Sequence, residues 1–290
     1  MAYADSHSWI IEIGTFLTDY HLKMSEKSNL DTLIDNRYNE NGGSMQIHIL
    51  GQGRLGLSLG TILTQQSIPH TIHGHSFPSR LNGLVYICVS ETAIADVAQK
   101  LEYHQDVCVL HASGSLGLDV FPIREANIAC LHPIQSFPGP KIRIPESIPA
   151  TLQCGPQISD HARTNILLFT KWLGFTVYPF LGNRLAYHTA AVLSGNFTTI
   201  LFSLAKEVLK REGYSEKMAG DLLYSLANQS LSNSKHGSLK EVLTGPISRG
   251  QSSILDAQKE QLRWDPDLAT LYNQFVKIAT KRMETSISKN

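Results

Sequence analysis

The chain has 290 residues, 42% hydrophobic and 17% charged, with 25 basic and 25 acidic side chains. That length holds one large domain or two of ordinary size, and the composition is that of a globular protein with a substantial core. A chain with no net charge has no global field to attract nucleic acid or an anionic membrane, and no run of about 18 apolar residues could span a bilayer.

The expected partner is therefore a small molecule, with no nucleic acid and no membrane. Cys88, Cys108, Cys130 and Cys154 are scattered without a C-x-x-C spacing, and three lie in apolar, strand-like runs. Reduced, buried thiols fit that pattern. No secretory signal is read, so the expected setting is cytoplasmic.

Residues 1–44 read as an N-terminal extension. Trp9–Leu17 can form one short element, and the polar stretch Ser25–Ser44 ends in Asn-Gly-Gly-Ser, a flexible joint. At Met45 the pattern changes. A short apolar run, Ile47–Leu50, stops at Gly51, and Gly53 and Gly56 complete a G-x-G-x-x-G fingerprint. A helix is predicted over Leu57–Gln66, which gives the glycines their strand–turn–helix context. Gly51 allows the tight turn, Gly53 lets a pyrophosphate approach the backbone, and Gly56 lets helix and strand close up. Gln52, Arg54 and Leu55 complete the cradle, and the helix N-terminus offers unpaired N–H groups to phosphate.

The second strand is predicted at Thr71–Gly74. About 20 residues past the fingerprint, NAD-binding proteins carry an acid for the ribose 2′-hydroxyl. Here His75, Ser76 and Arg80 follow the strand without an acid. A hydroxyl, an imidazole and a guanidinium suit a 2′-phosphate, so the expected cofactor is NADP. The metal alternative, His70 with His73 and His75, lacks Cys or carboxylate ligands nearby, and no metal is expected.

Gly83–Ser90 is a continuous apolar run, typical of a parallel strand buried on both faces. A helix at Glu91–Leu101 and a strand at Asp106–His111 follow. Another strand ends at Ala129–His132, a helix spans Ser159–Leu173, and a last strand spans Phe175–Phe180. Strands alternating with helices over 45–180 predict an α/β fold, a doubly wound parallel sheet of Rossmann-like type. Residues 181–290 contain no strand-like run and predict an all-helical domain. It opens with one long helix, Leu185–Glu212, whose apolar face is Leu193, Phe197, Ile200, Leu201, Leu204 and Val208. Ser215 caps a second helix, Ser238 and Glu241 form a capping box, and Asp265 before Pro266 opens a final helix to about Thr285.

In such sheets ligands bind at the carboxyl ends of the strands, at the switch point. Val89 and Ser90 should therefore border a nicotinamide. Ser113 is placed as a hydrogen-bond donor. His132 either supplies a proton, its pKa lying near neutrality, or bonds backbone to shape the His-Pro turn. His188 and Asn196 lie on the long helix's polar face, where His188 can act as acid/base and Asn196 can orient a substrate oxygen. Arg249, in a Gly/Pro loop, can clamp a substrate carboxylate.

Five stretches, GQGRLG (51–56), HASGSLGLDVF (111–121), LHPIQSFPG (131–139), AYHTAAVLSGN (186–196) and LTGPISRG (243–250), occur in this order. In this the chain resembles a bacterial two-domain family, Rossmann-like with a helical C-terminal domain of unknown function. More broadly it is similar to the superfamily of 6-phosphogluconate dehydrogenase, ketopantoate reductase and pyrroline-5-carboxylate reductase. The resemblance implies an NADP-binding domain, a helical substrate and dimerisation domain, a cleft between them, and a homodimer. Hydroxyacid and ketopantoate members carry a lysine early in the first long helix and an asparagine one turn later. His188 stands roughly in the lysine's place, and Asn196 lies two turns on. Prephenate-type relatives carry a histidine in a His-Pro turn, as His132 is. Where the family commonly has aspartate after the Arg249–Gly250 pair, this chain has Gln251. Two functions remain open at this point: an NADP-dependent oxidoreductase acting on a small carbonyl, imine or alcohol, or a non-catalytic dinucleotide sensor or scaffold.

Overall fold

The computed structural model describes residues 45–137, 139 and 147–285. The reading of 1–44 as an extension lies outside them. The described residues fall into two compact units, one running to Ala191 and the other starting at Val192. No helix among them is long and apolar enough to cross a membrane.

The first unit is a seven-stranded sheet in the order β2-β1-β3-β4-β5-β6-β7. Its strands are β1 (Ile47–Leu50), β2 (Thr71–His73), β3 (Gly83–Ile87), β4 (Val107–His111), β5 (Ile128–Pro133), β6 (Ile148–Cys154) and β7 (Phe175–Pro179). Among the described residues, helices α1 (Arg54–Gln65), α2 (Ile94–Gln99), α3 (Asp160–Trp172) and α4 (Arg184–Val192), the last ending at the unit boundary, accompany it. Strand side chains alternate between faces, and both faces are covered. Leu84 and Tyr86 of β3 join Leu59 and Leu63 of α1 and Ile166 and Phe169 of α3 in one core. Val85 and Ile87 join Ile94, Val97 and Ala98 of α2 in the other. Burial on both sides explains why the central strands read as unbroken apolar runs.

The chain leaves β1 through α1 to β2 on one side, then crosses back to β3 on the other. That reversal puts the switch point at the carboxyl ends of β1 and β3, beside the glycine turn. The doubly wound α/β architecture thus follows the expectation, with one correction. β6 was not anticipated, and it runs antiparallel to β5 before β7 pairs parallel to it. Pro149 inside the run hides the strand, because proline cannot donate to a ladder. The helix after β3 also begins with a 3₁₀ turn, Glu91–Ala93.

The second unit is helical among its described residues. A π-helical turn, Leu193–Phe197, precedes α5 (Thr198–Arg211), followed by α6 (Glu216–Ser234), α7 (Leu239–Val242), α8 (Ser252–Glu260) and α9 (Pro266–Thr285). The single helix expected over Leu185–Glu212 is therefore interrupted, a feature that often marks functional sites. Ser215 Oγ accepts from Met218 N at 3.2 Å. The capping box at Ser238 and Glu241 is present, and Asp265 Oδ1 accepts from the amides of Asp267 and Leu268. Lys206 and Lys210 of α5 clasp Glu216 at the start of α6, at 2.6 and 2.8 Å, and Arg211 lies 4.0 Å above the Trp264 ring.

Candidate functional site

The glycine turn divides its three glycines by role. Gly51 has φ +129°, and a β-carbon there would lie 2.6 Å from the carbonyl oxygen of Cys88 at the end of β3. A β-carbon on Gly56 would lie 2.1 Å from the Gly51 carbonyl oxygen. Both positions are closed by backbone. At Gly53 a β-carbon would meet nothing within 4 Å, so the open side of the turn lies here, at the N-cap of α1. No side chain caps that helix end, and its first turn carries no acid. The amides and the positive end of the helix dipole are thus free for an anion. This geometry fits a dinucleotide pyrophosphate. Leu55 is half-buried, while Gln52 and Arg54 are exposed.

Past β2, the Gln52 side chain leans over Gly74, and His75 and Ser76 are exposed. Arg80 is exposed as well, paired with Glu102 at 3.5 Å. His73 does not group with His70 and His75 as its sequence neighbours suggest. Its Nε2 lies 3.1 Å from His48 Nδ1 on β1, while His70 Nδ1 lies 2.9 Å from the Ile68 carbonyl. No group of three metal-ligating side chains occurs among the described residues. Val89 is half-buried and Ser90 exposed where β3 ends.

A second cluster forms at the ends of β4 and β5. His111 is fully buried, with Nε2 3.1 Å from the Gly117 carbonyl and Nδ1 accepting from Ser113 N at 3.2 Å. It shapes the loop after β4, the backbone role considered for His132. Burial pushes its pKa down to about 4, and the charge of Arg184 adds to this. Ser113 Oγ donates to Glu91 and accepts from the amides of Ser115 and Leu116, at 3.1 and 3.0 Å. Burial pushes the Glu91 carboxyl upward. Hydrogen bonds from Ser113 and Ser115 and the nearby His188 outweigh it and hold the group below the usual range.

His132 bonds a side chain, not backbone: its Nδ1 lies 2.8 Å from the Tyr187 hydroxyl of α4. The same hydroxyl accepts from Thr151 Oγ1 at 3.0 Å. His132 and His188 meet with ring centroids 6.2 Å apart. Gly114 fits between them, since a β-carbon there would lie 2.8 Å from His188 Nδ1 and 2.9 Å from His132 Nε2. His188 Nδ1 is buried without a hydrogen-bond partner among the described residues. Burial lowers the His132 pKa to about 4, helped by His188 and Arg184. His132 is therefore a neutral imidazole at pH 7.

Sequence reasoning did not find Glu91, Thr151, Tyr187 or Arg184. Arg184 is 8% exposed. Its Nε and Nη2 donate to Gln153 Oε1 at 3.0 and 2.6 Å, and its guanidinium lies 4.0 Å above the Phe180 ring. Thr151 and Gln153 sit two apart on β6, so they share a face. Thr151 pairs with His132 and Gln153 with Cys130 across the antiparallel ladder. The strand hidden by Pro149 is thus the one that seats α4 against the histidine. In the second unit, Asn196 lies exposed in the π turn, and Arg249 Nε donates to Gln251 Oε1 at 3.0 Å.

Residues 175–278 match the family model described as a domain of unknown function, DUF2520. The first unit has the doubly wound Rossmann-like fold, and the stretch from β7 through most of the helical unit is similar to DUF2520. Tyr187 and His188 lie within the DUF2520 span, and His132, Ser113 and the glycine turn lie before it. No curated protein matches the chain. Among solved structures, it is similar to a Bacteroides fragilis protein described as a candidate NADP oxidoreductase. Their identity is 18% and the TM-score 0.66, covering 82% of this chain and 98% of that one. Protein TM1727 from Thermotoga maritima matches at 21% identity and TM-score 0.60, covering 83% and 99%. A Plasmodium falciparum pyrroline carboxylate reductase with NADP bound matches at 11% identity and TM-score 0.54, covering 83% and 98%. At these identities the likeness is one of fold.

Proposed function

We propose that this protein is an NADP-dependent oxidoreductase, moving hydride between nicotinamide and a small carbonyl, imine or alcohol substrate. The observation that carries the reading is the glycine turn. Backbone closes Gly51 and Gly56, while Gly53 stays open beside an uncapped helix end. Gly51, Gln52, Gly53, Arg54, Leu55 and Gly56 would hold the pyrophosphate, and Val89 and Ser90 would border the nicotinamide. A bound nicotinamide supplies or accepts the hydride, chemistry that belongs to the cofactor. The chain's residues handle the proton. His132 and His188 face the substrate oxygen or nitrogen, and Ser113 with Glu91 holds the loop that carries Gly114.

NADP is favoured over NAD because no acid stands after β2 to receive a ribose hydroxyl. His75, Ser76 and Arg80 would take the 2′-phosphate instead. The exposed Arg80–Glu102 pair costs little to open, since surface pairs contribute roughly 0–1 kcal/mol. A cytoplasmic homodimer completes the proposal, with apolar side chains of the helical unit at its interface.

Calorimetric titration with NADPH and NADH tests the cofactor, and consumption assays over keto acids and cyclic imines test the chemistry. NADPH should bind more tightly than NADH. Replacing His132 or His188 by alanine should lower turnover by roughly 10²–10⁴-fold while NADPH binding persists. No affinity for either dinucleotide at millimolar concentration would overturn the proposal. Dinucleotide binding with no turnover on any substrate would instead identify a sensor.

A further inference from the structure

A half-buried chain of hydroxyl and imidazole groups links β6, α4 and β5. Thr151 Oγ1 donates to the Tyr187 hydroxyl at 3.0 Å, and that hydroxyl lies 2.8 Å from His132 Nδ1. The two rings meet edge to face, with centroids 5.6 Å apart. A phenol has one proton to give. Thr151 supplies its own proton to the phenol oxygen, and among the described residues no acceptor besides Nδ1 is seen for the phenol's proton, which therefore points at Nδ1. A neutral imidazole that accepts at Nδ1 carries its proton on Nε2. Nε2 belongs to the ring edge that faces Gly114, and His188 Nδ1 faces the same glycine.

We infer that Tyr187, held by Thr151, is a positioning residue that locks His132 as a neutral Nε2–H donor, leaving His188 to exchange the proton with a carbonyl or alcohol substrate. This deepens the hydride-transfer reading and rests on it. The low pKa of His132 agrees, because the ring then stays neutral across the physiological range.

The lock selects a substrate class. A carbonyl oxygen has two lone pairs. If a bound reduced nicotinamide supplied hydride to the carbon, the π pair would move onto oxygen. That oxygen keeps the His132 hydrogen bond through one lone pair and takes a proton from His188 through another. An iminium nitrogen has no lone pair left to accept the fixed N–H, which the bound substrate would then cover without giving it a partner. Leaving a buried donor unpaired is a strong basis for rejection. The structure thus points to a carbonyl/alcohol couple over an imine/amine couple.

The test begins with nitrogen-15 NMR of histidine-labelled, unliganded protein, with the His132 signals assigned by loss in His132→Gln. Wild type should show His132 as the Nε2–H tautomer at pH 7. Tyr187→Phe, which keeps the ring, should give a mixture of tautomers, and Thr151→Val should do the same more weakly. NADPH affinity should stay within twofold. Tyr187→Phe should also lower kcat for ketone reduction at least tenfold with KM for NADPH unchanged, and should shift the pH profile of kcat. An Nδ1–H tautomer in wild type, or an unchanged tautomer in Tyr187→Phe, overturns the inference. So does equal turnover of a cyclic imine and a ketone. Because the tautomer is read without cofactor, a failure to bind NADPH would sink the proposed function and leave this result separate.

Discussion

Gly53 and Gly56 stand three residues apart, yet a β-carbon means different things at each. Gly56→Ala forces a carbon to 2.1 Å from the Gly51 carbonyl. Backbone must move, so the variant should lose several kcal/mol of stability or fail to fold, read as a large drop in melting temperature. At Gly53 an added β-carbon meets no protein atom within 4 Å, and Gly53→Val should melt near the wild-type temperature. Its branched side chain would fill the approach to the helix end, and NADPH affinity should fall tenfold or more, about 1.4 kcal/mol per decade. Equal NADPH binding by Gly53→Val would remove the phosphate role. The buried histidines set a pH dependence. His111 and His132 have pKa values near 4 in the fold, below the ordinary 6.5. Between those values the unfolded chain binds more protons, so stability is full above pH 6.5 and declines as pH falls toward 4. Each histidine taken alone contributes about 2 kcal/mol of loss between pH 7 and 5. Melting curves should show a fall of several degrees over that range, reduced by a His111→Asn, His132→Asn double variant.

At the scale of elements, the most informative piece is β6. Gln153 and Arg184 are unequal partners there. Gln153→Leu leaves a buried guanidinium without its acceptor and should cost about 1–3 kcal/mol. Arg184→Met removes the buried charge altogether and should be closer to neutral, as replacements of buried ions by apolar groups often are. Chemical denaturation of the two variants gives the order. Phe169 of α3 packs edge-on to Tyr86 at 5.6 Å and is fully buried, so Phe169→Ala should cost roughly 3–5 kcal/mol. These elements also mark how far the sequence could be read. The glycine turn, the central strands and the helix caps at Ser215, Ser238 and Asp265 are local signals, and local spacing reveals them. β6 is masked by Pro149, and the π turn leaves no trace in an apolar period. Tyr187, Thr151 and Arg184 become site residues only through long-range pairing, as when Thr151 falls opposite His132. His188 and His132 were each visible as proton carriers, but their meeting over Gly114 is a property of the tertiary fold.

Over the whole molecule, the helical unit leaves Leu193, Phe197 and Ile200 about half exposed, at 55%, 47% and 52%. Exposed apolar side chains spaced four and three residues apart along one helical run suit association. Sedimentation should give twice the 32.1 kDa chain mass, and Phe197→Glu with Ile200→Glu should return it to one chain mass. A monomeric wild type would remove the homodimer from the proposal. The reversal of β6 has a consequence for direction. Had β6 and β7 followed β1–β5, the chain would leave β7 at the rim where the glycine turn lies, and the next helix would travel away from it. Because both run the other way, Pro179 emerges level with Leu152, below that rim. α4 then climbs, meeting Gln153 first through Arg184 and Thr151 next through Tyr187, before His188 arrives beside Gly114. Two strands laid head-down turn an outgoing helix into an incoming one.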